Sequence, residues 1–137
     1  MLLGCARAAR RHADVVGLMH VDAHEDHYLP AESPSGAWSD CEIAFALGTA
    51  PFSWDAELAS EQPFVDPSRL AIVGARDGPE LAHHGVESLR DTVLLLDART
   101  TSDDAAGATA RALEVVAAQG FWLHLDRDVL DTQVCRR

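Results

Sequence analysis

Two apolar runs, each ending in an acidic cluster, constrain this chain more than any other feature. Val15-Val16-Gly17-Leu18-Met19 leads into Asp22-Ala23-His24-Glu25-Asp26, and Phe121-Trp122-Leu123 leads into Asp126-Arg127-Asp128. Both runs read as buried strands. In an extended chain, side chains at i, i+2 and i+4 share a face. Asp22, His24 and Asp26 therefore converge on one side, as do Asp126 and Asp128. Four carboxylates and an imidazole at strand ends repel one another unless a cation sits among them. Oxygen-rich ligands with one His suit Mn²⁺ or a similar hard divalent ion. Asp-x-Asp after a strand is also a common plain turn, and either cluster alone fits that reading. The pair favours a metal site, because both clusters stand at strand ends, where open parallel sheets bind ligands.

The rest of the chain alternates between helix and strand signals. Cys5 to His12 reads as part of an amphipathic helix, Val15 to Val21 as the first strand, and His27 to Ala37 as a loop over the site. Ser39-Asp40-Cys41-Glu42 has the form of a capping box and predicts a helix through Leu47. Residues 49 to 69 carry Pro51, Pro63 and Pro67 and read as irregular, up to a strand at Leu70 to Val73. Asp77 and Pro79 open a short helix that Gly85 closes. Val93 to Leu96 is a strand. Ser102 to Gln119 reads as one helix capped by Ser102 or Asp103 and ended by Gly120. Phe121 to Asp126 is the last strand. There is no internal repeat or domain boundary. Strands alternating with helices predict a parallel sheet flanked on both faces.

The motifs themselves resemble a known family. Leu18 to Asp26 is similar to the Asp-Ala-His-x-Asp signature of the ureohydrolases, the group of arginase, agmatinase and formiminoglutamase. His124 to Asp131 is similar to their second signature, Asp-x-Asp-x-x-Asp-Pro, and Ile72 to Asp77 to their Gly-x-Arg strand end. The resemblance implies an arginase-like three-layer α/β/α fold with a parallel sheet. It implies a binuclear Mn²⁺ centre with Asp22, His24, Asp26, Asp126 and Asp128 as ligands. Asp22 and Asp126 would be shared by both ions, Asp26 would serve one, and His24 and Asp128 the other. The implied activity is metal-assisted hydrolysis of a non-peptide C–N bond in a small guanidino or amidino substrate, with two cooperating ions.

The departures carry expectations too. Members draw a further His ligand from a Gly-Gly-Asp-His segment before the first signature, and an acidic residue from beyond the second. Neither has a counterpart in these 137 residues, and Thr132 stands where Pro follows the second signature. The expectation is a single partial, incomplete arginase-like domain over residues 1–137, with one of the two Mn²⁺ sites impaired. The alternative to an active hydrolase is a truncated, catalytically silent metal-binding remnant. Missing strands would leave sheet edges open to association, so a homo-oligomer is open as well.

Charge and cysteines narrow the class further. A net charge of −11 argues against nucleic acid and anionic membranes as partners, and no apolar run reaches membrane-spanning length. Cys5, Cys41 and Cys135 are odd in number and lack metal-ligand spacing, which fits reduced thiols in a cytoplasmic protein. His20 and His124 lie two residues before Asp22 and Asp126 on the same faces. They read as polar filling that pairs with each other or the backbone, with a role in orienting the carboxylates as the second reading. His27 reads as a loop residue, His83-His84 as a solvated face, and Trp38 and Trp54 as apolar packing. Glu32, Ser33 and Ser35 are candidate polar contacts of the loop. Ser39 stands where many members place a His near the substrate.

Overall fold

The computed structural model describes residues 2–11, 16–117 and 120–130. Helix α1 (Leu2–Arg10) precedes β1 (Gly17–Val21). After a long loop come α2 (Glu42–Leu47), α3 (Ala56–Glu61) and β2 (Leu70–Ala75). Helix α4 (Gly78–His84), β3 (Leu94–Asp97), α5 (Ala98–Asp103), α6 (Ala105–Val116) and β4 (Phe121–Leu125) complete the described elements. The four strands form one parallel sheet in the order β3-β2-β1-β4. Parallel neighbours need crossover connections. Here the crossovers place helices on both faces, giving the expected α/β/α layering.

Side-chain alternation along β1 divides two cores. Leu18 faces a cluster with Leu70, Ile72, Ile43, Phe45, Leu81 and Leu2, built under α1, α2 and α4. Met19 faces the other way, toward Ala71, Val73, Leu96 and the α6 residues Ala108, Ala112 and Val116. The alanines of α6 let its backbone lie close on the sheet. A Cβ on Gly17 would stand 2.3 Å from the Val116 carbonyl oxygen, so the start of β1 has no room for a side chain. β4 is a sheet edge among the described strands. Its Trp122 packs on the first core, while Phe121, Leu123 and Leu125 on its other face are exposed.

Three local expectations are corrected. Ser39 does not form a capping box with Glu42. A 3-10 turn over Trp38–Cys41 precedes α2, and the Ser39 hydroxyl is engaged by Asp40 Oδ1 at 3.3 Å. The first N–H groups of α2 go instead to the Asp26 carbonyl, from Ile43 at 3.0 Å and Ala44 at 3.4 Å. The proline-rich stretch holds α3, whose cap is Asp55, accepting from the amides of Glu57 and Leu58. The helix expected from Ser102 begins later, as α6, and an unexpected short helix, α5, precedes it. Asp97 caps α5 through Thr100 N, and Asp104 caps α6 through Gly107 N, so a second capping residue interrupts the apolar pattern. Helix α4 is capped by Gly85 in the left-handed region, as expected. Asp131, Thr132 and Cys135 lie outside the described residues.

Candidate metal centre

Parallel register brings the two acidic clusters side by side. β1 and β4 pair directly, with Val21 opposite Leu125, so the residues after each strand emerge together at the carboxyl end. Asp22, His24, Asp26, Asp126 and Asp128 all line one cavity of about 250 Å³. One ligand atom each of Asp22, His24 and Asp128 lies within 4.8 Å of the others. His24 Nδ1 is 2.9 Å from Asp128 Oδ2 and 3.4 Å from Asp22 Oδ1.

The backbone holds these groups in place. Asp22 Oδ1 accepts from His24 N at 2.9 Å, Asp128 Oδ1 from Ala23 N at 3.1 Å, and Asp126 Oδ1 from Asp128 N at 3.0 Å. Each carboxylate thereby keeps an oxygen for the cavity. Asp26 sits at φ 47°, in the left-handed region where Asp is one of the few tolerated side chains. That turn aims its carbonyl at α2. Gly74, in the irregular end of β2, has φ +100°, and a Cβ there would stand 2.5 Å from Val129 Cγ2 and 3.2 Å from the Asp22 carbonyl oxygen. Arg76, two residues on, donates to the carbonyls of Asp128 at 2.6 Å, Val129 at 3.2 Å and Leu130 at 3.5 Å. The Gly-x-Arg strand end thus contributes no ligand; it clamps the second acidic segment against the first.

The electrostatics show what it costs to gather these groups without a cation. Burial pushes the Asp26 carboxyl up to about 7, and burial raises that of Asp22 as well, against the hydrogen bond from His24. His24 is raised to about 9, first by its hydrogen bond to Asp22 and then by Asp128 and other acids. His20, buried beneath them, is lowered by desolvation, which favours its neutral form. Metal ligation needs deprotonated carboxylate and neutral imidazole, so an ion would take the place of these protons. The donor set fits a hard divalent ion, being mainly carboxylate with one imidazole.

Further residues of the cavity were partly hidden from sequence reasoning. Its wall includes Tyr28, Pro34, Ser35, Ser39, Asp40, Asp77 and Glu80, and no Lys or Arg lines it among the described residues. Burial raises Asp77 to about 6; its Oδ2 accepts from Glu25 N at 2.8 Å, while its Oδ1 is buried with no hydrogen-bond partner. The Tyr28 hydroxyl is likewise buried and without a partner. Burial works to raise Asp40, but hydrogen bonds from the hydroxyls of Ser33, Ser35 and Ser39 outweigh it and hold the carboxyl below the usual carboxylate range. The sequence signal available for Tyr28 and Asp77 was only their nearness to the two motifs.

Other singled-out residues resolve simply. His83 and His84 are exposed on α4. Trp38 and Trp54 form an edge-on pair with centroids 4.7 Å apart over Phe45, and both keep more than half their surface in solvent. His20 and His124 stack on one another, yet neither ring nitrogen of His20 has a hydrogen-bond partner. The expectation that backbone or mutual bonds satisfy this His is therefore corrected. Both nitrogens of His27 are buried without a partner as well. Among the described residues, no helix is long and apolar enough to cross a membrane.

Comparison with known proteins agrees with this geometry. The arginase of Eremothecium gossypii is 39% identical over 61 residues, which is 44% of this chain and 15% of that protein. The solved structure of Bacillus cereus arginase superposes with a TM-score of 0.78 at 24% identity, covering 96% of this chain and 45% of that one. For Bacillus subtilis arginase the TM-score is 0.76 at 23% identity, with 96% and 46% covered. For proclavaminate amidino hydrolase of Streptomyces clavuligerus it is 0.58 at 20% identity, with 96% and 38% covered. The chain thus spans less than half the length of these relatives. A sequence model of the arginase family matches residues 1–136, and the chain belongs to that family.

Proposed function

We propose that this protein is the metal-holding part of a hydrolase that cleaves a non-peptide C–N bond in a small guanidino or amidino compound. The observation that carries the reading is the convergence of Asp22, His24, Asp26, Asp126 and Asp128 on one cavity. Asp22, His24, Asp126 and Asp128 would hold one Mn²⁺, and Asp22, Asp26 and Asp126 a second with fewer protein donors. When bound, such ions supply Lewis-acid polarisation and a nucleophilic water at neutral pH. The protein's own contribution is orientation and charge. Asp40, Asp77 and Glu80 make the wall attractive to a cationic substrate. The unpartnered Tyr28 hydroxyl and Asp77 Oδ1 offer hydrogen bonds to it. Reduced Cys5 and Cys41 support a cytoplasmic setting.

The test is urea or ammonia release from arginine, agmatine and related compounds with added Mn²⁺, with Asp126→Asn as the blank. Release that needs Mn²⁺ and is lost in Asp126→Asn is the result expected of a hydrolase. The rate should fall short of ordinary turnover, roughly 1 to 1000 per second, because Asp22, Asp26 and Asp126 would hold the second ion less firmly than the first. A protein that binds Mn²⁺ with no release above the blank is the second reading, a catalytically silent metal-binding remnant. The observation favouring it is that, among the described residues, Asp26 and Asp126 join no group of three donors within 4.8 Å of one another.

A further inference from the structure

We propose that His20, Asp22 and His124 form a separate, nitrogen-rich cation site beneath the acidic cluster, suited to a borderline transition ion such as Zn²⁺, Co²⁺ or Ni²⁺. The strand register creates it: His20 stands opposite His124 across β1 and β4, each two residues before an aspartate and on the same face of its strand. The two imidazoles stack with centroids 5.0 Å apart and planes 16° from parallel, so a ring turns about its Cβ–Cγ bond to aim both nitrogens at one ion. One ligand atom from each of His20, Asp22 and His124 lies within 4.8 Å of the others.

His20 is the independent pointer to a ligand. It is wholly buried, and neither ring nitrogen has a hydrogen-bond partner. Buried polar atoms are nearly always paired, so a fully buried imidazole with both nitrogens idle is an exception that asks for a cause. Its Nε2 stands 3.4 Å from Asp22 Oδ2 and 3.4 Å from Asp26 Oδ2. A charge-assisted hydrogen bond would close to about 2.7–2.9 Å. The edge of a tetrahedron of ligands around an ion with bonds of about 2.1 Å is about 3.4 Å. Neither contact is a hydrogen bond of His20, and the spacing suits two donors on one ion.

The donor chemistry separates this site from its neighbour. Asp22, His24 and Asp128 offer two oxygens and one nitrogen, the set a hard ion accepts. His20 and His124 add two nitrogens to the oxygens of Asp22 and, 3.4 Å from His20 Nε2, Asp26, and imidazole donors favour zinc, nickel and cobalt over manganese. Asp22 belongs to both groups, so the two sites compete for its oxygens. The inference goes beyond the hydrolase reading and does not depend on it.

The experiment titrates metal-free protein with Zn²⁺ and, separately, with Mn²⁺, using wild type, His124→Ala, His24→Ala and Asp128→Ala. Zn²⁺ affinity should fall by about tenfold or more in His124→Ala while Mn²⁺ affinity holds. His24→Ala and Asp128→Ala should do the reverse. In the wild type, where folding is not in question, Zn²⁺ should shift the side-chain nitrogen resonances of both His20 and His124. Undiminished Zn²⁺ affinity in His124→Ala, or shifts confined to His24, would overturn the proposal. Mn²⁺ binding indifferent to Asp128→Ala would instead count against the hydrolase reading and leave this site standing.

Discussion

At the scale of single residues, the centre depends on positions that carry no ligand. Gly74 is the sharpest case, because its φ of +100° and the 2.5 Å approach of Val129 Cγ2 leave no place for a methyl group. Gly74→Ala should lose about 1–3 kcal/mol of stability, read as a lowered denaturation midpoint, and should weaken Mn²⁺ binding by displacing the Asp22 carbonyl. A second expectation concerns the order of loading. The tight group of Asp22, His24 and Asp128 should take one Mn²⁺ ahead of any other, so calorimetric titration should show one tighter event. Two equal events would contradict this, as would unchanged binding after His24→Ala. The five clustered residues were legible in the sequence as acidic clusters following two apolar runs, but the structure gathers them through turns and not through period-two spacing: Asp26 sits at φ 47° and Asp126 caps a 3-10 turn over Arg127–Val129. The role of Arg76 was not legible: it bonds main-chain carbonyls more than fifty positions away, and no residue type at 128, 129 or 130 announces an acceptor that every residue possesses.

At the scale of elements, the strands were legible and the helix boundaries less so, for a physical reason. Strands β1, β2 and β4 are short apolar runs between punctuating residues, and parallel pairing followed from the helices between them. The helices, in contrast, are bounded by competing caps. Asp103 and Asp104 both precede an alanine-rich stretch, and the structure uses Asp104, with Asp97 taking an earlier helix. The caps of α3 and α5 were readable as Asp55 and Asp97, but prolines around the first and the apolar strand run just before the second masked them. Asp97 lends itself to a test with pH. Hydrogen bonds from the Thr100 backbone and hydroxyl hold its carboxyl below the usual range. A depressed acid stabilises fully above its unfolded value of about 3.9, and that stabilisation is lost as pH falls through the lower folded value. Asp97→Ala should therefore be less stable than wild type by about 1 kcal/mol at pH 7, with the gap closing as pH falls past the unfolded value and through the lower folded one. A gap unchanged in acid would mean that the carboxylate is not the cap.

At the scale of the whole molecule, the sheet is covered unequally. Helix α6 packs over β1, β2 and β3, while Phe121, Leu123 and Leu125 of β4 face outward, Leu125 with 66% of its surface exposed. Among the described residues nothing covers this apolar face of β4, and such an edge tends to find a cover. The chain should accordingly self-associate, with a sedimentation coefficient that rises with protein concentration. Leu125→Lys should suppress the association without lowering the denaturation midpoint, and concentration-independent sedimentation of the wild type would refute this. The segment that follows this edge strand is better secured. Arg76 grips oxygen atoms that belong to the main chain, so its hold is indifferent to which side chains stand at 128, 129 and 130. The path of that segment and its chemistry are therefore separable. Substitution can rewrite what the loop offers to the cavity, from Asp128 onward, while the guanidinium keeps the loop where it is.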